Sequence, residues 1–440
     1  MRKWLSKLFV ISVMAPAALL ASERVPHLIQ TPSASFNVDV LVQSLESLGG
    51  NPSLEDAIHL LPNSYKKNYT LVYHSRSMQG STPLNPRAIL FGDDARFIAT
   101  FTGTNELAQG NAIEILQFDD HTSRFEMYSL HFPLQRDSLG HITRPARNPP
   151  VCLSCHTQDP KPNMSGATFW PGFYGGANDG ADDAHEERDF QSFLKIKSSH
   201  VRYSQLASDP GNSLFPYRNS EIDKIIDNRD IPFRYSPNLR ITSLLSRMNV
   251  KRAFRMIKSS PKYPVYREFG LYSLLRCGDL TNEPNAFSEA AAADIEARIS
   301  LKIKASPHYV EENGGANLRM TEPLQAIFLF GIVPRDLALD ILERQFMNTI
   351  DAYSEGSYLA GLIARDLIGG GDKELQHEVR FFSEYNDFLA SAPSHHLSKE
   401  DLALLRILDQ DSEVVVESPA LCGFLRGRLR ALDFRAGSIF

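Results

Sequence analysis

Tyr69-Thr70-Leu71-Val72-Tyr73, Ala88-Ile89-Leu90-Phe91, Arg96-Phe97-Ile98-Ala99-Thr100-Phe101, Ala112-Ile113-Glu114-Ile115-Leu116-Gln117-Phe118 and Arg124-Phe125-Glu126-Met127-Tyr128-Ser129-Leu130 form the stretch that decides the fold. The segments are short and rich in β-branched and aromatic residues, which suits strands. Gly92-Asp93-Asp94 and Asp119-Asp120-His121 fall between neighbouring segments, where hairpin turns belong. About five strands in succession predict an antiparallel meander.

Outward toward the amino terminus, Val38, Val40, Leu41, Leu45 and Leu48 recur near helical spacing, and Ser53-Leu54-Glu55-Asp56 can cap a second helix. Two short helices are therefore expected between Phe36 and Pro62. Further upstream, Arg2, Lys3 and Lys7 precede an apolar run from Leu8 to Leu20, and Ala21-Ser22 is a small-residue cleavage site, with cleavage after Ala18 as an alternative. Residues 1–21 thus read as a bacterial secretory signal peptide, which would deliver the chain to the periplasm. The rival is an uncleaved anchor, but the run is shorter than the roughly 20 residues a bilayer span needs. No other stretch is apolar enough to cross, so contact with a membrane is peripheral at most.

Outward in the other direction lies Cys152-Leu153-Ser154-Cys155-His156. Two thiols spaced C-x-x-C and followed at once by histidine match a covalent haem attachment site: the thiols reach the two vinyl groups of one porphyrin, and the imidazole lies beneath the iron. Export supports this reading, because such attachment takes place outside the bacterial cytoplasm. A thiol–disulfide motif and half of a zinc site are the alternatives. A redox pair should open a helix after a strand, whereas Arg147-Asn148-Pro149-Pro150 precedes Cys152, and no second C-x-x-C or H-x₃-H completes a zinc site. Pro149 and Pro150 suit the first turn of a short helix, and Asp159-Pro160 should end it soon after His156.

Around this motif the segment 147–200 is rich in proline, glycine and aromatic residues. Phe169-Trp170-Pro171-Gly172-Phe173-Tyr174-Gly175-Gly176 supplies a large apolar wall and tight turns, so Trp170 and Tyr174 are candidates for packing against the ring or donating to a propionate. Arg144 and Arg147 are candidates to pair with propionates. The distal ligand stays open. Met164 is the nearest soft ligand, eight residues after His156, and eight extended residues reach only about 26 to 29 Å. His185, His200, Met127 and His131 are further candidates, while Met248 and Met256 fit the core of a helix. The acidic run from Asn178 to Asp189 lacks calcium-hand spacing and reads as a solvated loop entering a helix near Glu186.

Beyond Arg202 apolar residues recur at helical spacings in Ile241–Met256, Phe287–Ala305, Pro334–Met347, Tyr358–Ile368, Leu375–Leu389, Lys399–Leu408 and Pro419–Leu432. Gly369-Gly370-Gly371 is a stop signal. Cys277 and Cys422 are either a disulfide or two buried thiols. The layout is 1–21 signal peptide, 22–146 short helices and β-meander, 147–200 haem-binding segment and 201–440 mainly α-helical. The fold class is α+β.

The chain has 440 residues, 42% hydrophobic and 22% charged, as expected of a soluble globular protein. Loss of Arg2, Lys3 and Lys7 with the leader would take the formal charge from −6 to −9. Such a surface gives no sign of nucleic-acid binding, and suggests a redox partner that presents a basic patch.

Cys152 to His156 resembles the attachment site of the c-type cytochromes. The wider arrangement, with Pro160-x-Pro162-Asn163 and then Trp170-Pro171-Gly172-x-Tyr174-Gly175 after the motif, is similar to a group of exported bacterial proteins carrying one predicted haem. The resemblance implies one covalent haem c, with Cys152, Cys155 and His156 holding it. It brings no assigned reaction. A dihaem peroxidase would need a second C-x-x-C-H, and a small electron carrier would be far shorter. Single-electron transfer is the leading expectation; a peroxidase-like haem enzyme or a redox or gas sensor with an open distal site is the alternative. No Ser-His-Asp order, phosphate loop or H-E-x-x-H competes.

Overall fold

The five apolar segments pair in sequence order. In the computed structural model, β1 (Tyr69–Val72), β2 (Arg87–Phe91), β3 (Phe97–Phe101), β4 (Ala112–Asp119) and β5 (Arg124–His131) form one antiparallel sheet in the order β1-β2-β3-β4-β5. The structure describes residues 36–75, 77–104, 110–162, 172–175, 184–208, 214, 236–278, 280, 291–297, 329–330, 355–383, 402–403, 406–407, 413–415 and 419–432. The expected signal peptide lies outside them. The β4–β5 hairpin closes locally: the Asp119 carboxylate accepts from the His121 backbone N–H and the Thr122 hydroxyl.

Register places Tyr69, Leu90, Ala99, Ile115 and Tyr128 on one face, and Val72, Ile89, Ile98, Leu116 and Phe125 on the other. Both faces are largely apolar, so both have to be covered. α1 (Val38–Ser47) and α3 (Asn63–Lys67) pack against the first, and α2 (Leu54–Leu60) packs against α1. The Val38 N–H donates to the Gln117 side chain at 3.1 Å, and the Tyr65 ring meets Phe97 edge-on. Ser53 and Asp56 cap α2 reciprocally, as the sequence suggests.

Against the second face lie the segment carrying α4 (Pro150–His156) and the amino-terminal half of a 23-residue helix, and Ile407 also packs there. With α5 (Ala184–Lys197) between them in the chain, that helix is α6 (Pro237–Ser259). Its Ile241, Leu244, Leu245 and Met248 join Ile89, Phe91, Ile98 and Phe125 in one core. Further along, Val250, Ala253 and Ile257 enter a second core. This core is built with α7 (Tyr263–Leu274), α8 (Glu355–Gly369) and α10 (Pro419–Ala431); between the last two lie α9 (Lys373–Glu378), β6 (Phe381–Ser383) and β7 (Glu413–Val415). The α+β class expected from sequence is the one observed. Asn37–Phe440 make one compact unit. Cys277 and Cys422 are disulfide-bonded, with their Cα atoms 5.1 Å apart, so the loop after α7 is tied to α10.

The helical half departs from its periodicity in two places. A helix was expected over 375–389, but α9 ends at Glu378 and β6 follows, paired with β7 through Phe382 and Val414. The β-branched partner lies about thirty residues away in sequence, beyond the reach of a local pattern. Conversely, α7 was not expected; its signals are Pro264 in the first turn and Tyr263, Tyr266, Phe269 and Tyr272 at three-residue steps. The helix expected over 334–347 lies outside the described residues. Of 287–305 the structure describes 291–297 as helical, and of 399–408 only 402–403 and 406–407. Among the described residues, no helix is long and apolar enough to cross a membrane.

Gly175 has φ +74°, and a Cβ there would run into the Leu214 carbonyl oxygen, whereas Gly49 at φ +69° has nothing within 4 Å. Gly49→Ala should therefore cost only the left-handed backbone penalty, about 1 kcal/mol. Gly175→Ala adds a clash with backbone and should cost about 3 kcal/mol or more. Urea denaturation of the two variants checks this, and equal losses would refute it.

Candidate functional site

The chain approaches the C-x-x-C-H motif along β5. Asn148, at φ +54°, donates its backbone N–H to the Met127 carbonyl and accepts the Met127 N–H on its side-chain oxygen, both at 2.8 Å. Pro149 then takes the N-cap position and Pro150 the first turn of α4, as the sequence suggests. Helical geometry sets Cys152 and His156 four residues apart on nearly one face, with Cys155 flanking them. α4 buries none of its residues, and neither cysteine is in a disulfide, Cys152 being half-buried and Cys155 exposed. Thr157 stops the helix at φ +68°.

His156 is half-buried, and its Nδ1 lies 2.7 Å from the Lys161 carbonyl oxygen. A carbonyl oxygen can only accept, so Nδ1 carries the hydrogen and Nε2 carries the lone pair. Burial pushes the imidazole below its ordinary value. The hydrogen bond to Lys161 and the Glu114 charge oppose that shift, while Arg87 reinforces it. Burial raises the Cys152 thiol, with Glu114 and Cys155 adding to the effect. A nucleophilic redox pair needs a depressed thiol, so this environment does not favour a thiol–disulfide catalyst. Among the described residues, no group of three or more His, Cys, Asp or Glu could hold a metal ion, and the zinc alternative gains no support.

Besides Lys161, the charged groups acting on His156 are Arg87 and Glu114, from the second face of the sheet. Arg87 on β2 and Glu114 on β4 pair at 2.7 Å, and Arg87 also donates to Gln79 at 2.9 Å. Gln79 in turn donates to the backbone oxygens of Thr100 and Ala112. After the motif, Asp159 is gripped by α6. Arg252 Nη2 donates to its backbone oxygen at 2.8 Å, and Arg252 Nε lies 3.0 Å from its carboxylate. Arg255 Nη2 reaches both carboxylate oxygens at 2.7 Å.

The segment leaves along β1, the opposite edge from its entry. The Gly172 carbonyl accepts from the Tyr73 and His74 N–H groups, and the Tyr174 N–H donates to Leu71. Asn238 at the start of α6 donates to the Tyr174 carbonyl and accepts from the Thr70 hydroxyl. Phe173 packs into the core between sheet and α6.

Of the residues singled out by sequence, Cys152, Cys155 and His156 come together on α4. Met164 and Trp170 lie outside the described residues. Tyr174 is fully buried, its ring 4.7 Å from Tyr73, and its hydroxyl donates to the Pro83 carbonyl, so that hydrogen is not free for a propionate. Arg144 and Arg147 pair with Asp39 and Glu126. His185 is exposed, with its Nδ1 at Arg188, and both His200 nitrogens are engaged, by Gly103 and Arg202. His131 lies beside the Ser129 hydroxyl, and Met248 is in the core. Met127 shares the sheet face of Leu116 and Glu114. Sequence reasoning missed Asp159, Arg252, Arg255, Arg87 and Glu114; only the two arginines three residues apart on an otherwise amphipathic helix hinted at a polar contact there. No protein-family model, curated protein or solved structure matches this chain.

The depressed His156 value has a consequence for folding. Its unfolded value is the ordinary 6.5. Between that value and the lower folded one, the unfolded chain binds the proton preferentially, so stability falls as pH drops through this window. Urea denaturation of the haem-free Cys152→Ser/Cys155→Ser chain at about pH 7.5 and about pH 5.5 should show a larger acid loss than its His156→Gln derivative. Identical pH profiles would show that the imidazole is not desolvated.

Proposed function

We propose that this is an exported c-type haem protein carrying one covalent haem on Cys152 and Cys155, with His156 as proximal iron ligand, and that it passes single electrons to a partner protein. The observation that carries the reading is the His156 tautomer: Nδ1–H is committed to the Lys161 carbonyl, which presents Nε2 for a metal. Iron-ligating imidazoles are held in this way, because the second hydrogen bond orients the ring and raises its basicity. When bound, haem would supply one-electron chemistry. Attachment adds each S–H across a vinyl group, the sulfur bonding to carbon and the hydrogen going to the neighbouring carbon, so no leaving group is needed. Cys155 is exposed and Cys152 half-buried on α4, so neither is enclosed in the core, which suits delivery of the group from outside. The Cys277–Cys422 disulfide fits an oxidising compartment and supports the export reading of residues 1–21.

The second reading is a haem enzyme or gas or redox sensor with an open sixth position. It is favoured by the commitment of His185, His200, His131 and Met248 to other partners or to the core. Of the methionines singled out as ligand candidates from the sequence, Met127 and Met164 then remain for the carrier reading.

The chain should stain for haem on a denaturing gel, and Cys152→Ala/Cys155→Ala should abolish the stain; covalent haem in that variant would sink the proposal. A ferrous spectrum unchanged by carbon monoxide marks a six-coordinate carrier. A large shift on its addition marks the open site and would overturn the carrier reading in favour of the second.

A further inference from the structure

We infer that Arg252 and Arg255 of α6, acting through Asp159, are positioning residues for the His156 imidazole. The inference rests on the proposed haem reading. It starts from where two arginines are placed. The Arg252 side chain is 1% exposed, and burying a guanidinium is costly unless it is paired and hydrogen-bonded. Its partner is the carboxylate and backbone oxygen of a residue three positions beyond His156. Arg255 adds a contact to both carboxylate oxygens and also donates to Ser123 in the β4–β5 turn, so the same helix holds the sheet and the motif.

From Asp159 the constraint reaches the ring through a stiff link. Pro160 has a locked φ, and Lys161 precedes Pro162, which confines it to extended conformations. The Thr157 hydroxyl donates to the Asp159 carbonyl, closing the turn from the other side. With Asp159 fixed, the Lys161 carbonyl has little freedom, and that carbonyl takes the Nδ1 hydrogen of His156. Loosening Asp159 should therefore let the acceptor move and weaken the bond that orients the ring. A weaker bond makes the imidazole a poorer donor to iron, which favours the reduced state.

Two arms test this. In the haem-loaded chain, Asp159→Asn and Arg255→Gln should keep covalent haem on a denaturing gel, yet raise the midpoint potential and increase the high-spin fraction of the oxidised spectrum. Arg255→Lys, which keeps the charge, should lie closer to the parent. In the haem-free Cys152→Ser/Cys155→Ser chain, Asp159→Asn should speed amide exchange several-fold in peptides covering 157–162 and leave those covering β2 and β3 unchanged. Parent-like potential and spectrum in both loaded variants, or unchanged exchange at 157–162, would overturn the clamp. If the parent carries no haem, the functional reading fails and the exchange arm alone judges the clamp. If Asp159→Asn does not fold, Arg255→Gln replaces it in both arms, since Arg255 is 26% exposed and better able to tolerate substitution.

Discussion

A five-stranded sheet with two apolar faces is the constraint on which the rest of the structure depends. An antiparallel sheet commonly leaves one side to water, but here β1 and β3 are buried along their whole length. The amino-terminal helices cover one side. The other is shared between α6 and the segment carrying α4, and this division decides where the motif sits. α6 then continues into the helical core, so one helix joins the apolar packing of the sheet to that of the carboxy-terminal half.

α4 itself buries no residue, and polar contacts supplement the packing of Phe173 and Tyr174 in holding the motif segment. It is tied at β5 by the paired Asn148–Met127 bonds, over α6 by Asp159, and at β1 by Gly172 and Tyr174. Each contact joins backbone or a short side chain to a regular element, so the described parts of the segment, 148–162 and 172–174, are anchored to the sheet and to α6. Net hydrogen bonds are individually modest, about 1 kcal/mol, but several at separated points leave a loop few ways to move. The Arg252 contact differs in kind, since an unpaired buried guanidinium would be strongly destabilising.

Legibility in the sequence follows the range of the forces involved. The meander, the capping box at Ser53 and Asp56 and the proline start of α4 are written in neighbouring residues, and all were readable. The helix stop at Gly369-Gly370-Gly371 is likewise local: α8 ends at Gly369 and Gly371 has φ +99°. The strand pair β6–β7 was not readable, because neither short segment has meaning without a partner about thirty residues away. At the candidate site, the C-x-x-C-H spacing singles out three residues that share α4, while Asp159 with Arg252 and Arg87 with Glu114 are joined only by the fold. Tyr174 shows the converse: its aromatic neighbourhood suggested a cofactor wall, but the β1 edge absorbs its backbone and Pro83 its hydroxyl.

The weak burial of α4 bears on why a covalent cofactor suits this position. A group retained by packing alone needs a deep, mostly apolar pocket that covers most of its surface. α4 has no buried residue and carries an exposed Val151, so the helix itself offers no such enclosure. On the proposed reading, thioether bonds would remove that requirement, because retention would no longer depend on buried area. What would then remain for the protein is orientation of the axial ligand, a task for short, stiff, hydrogen-bonded chain. The stretch from His156 to Pro162 has that character: two prolines bracket Lys161, its carbonyl takes the Nδ1 hydrogen, and a helix from the core of the fold holds Asp159. On the proposed reading, the division of labour is between covalent bonds that keep the cofactor and polar contacts that aim the histidine.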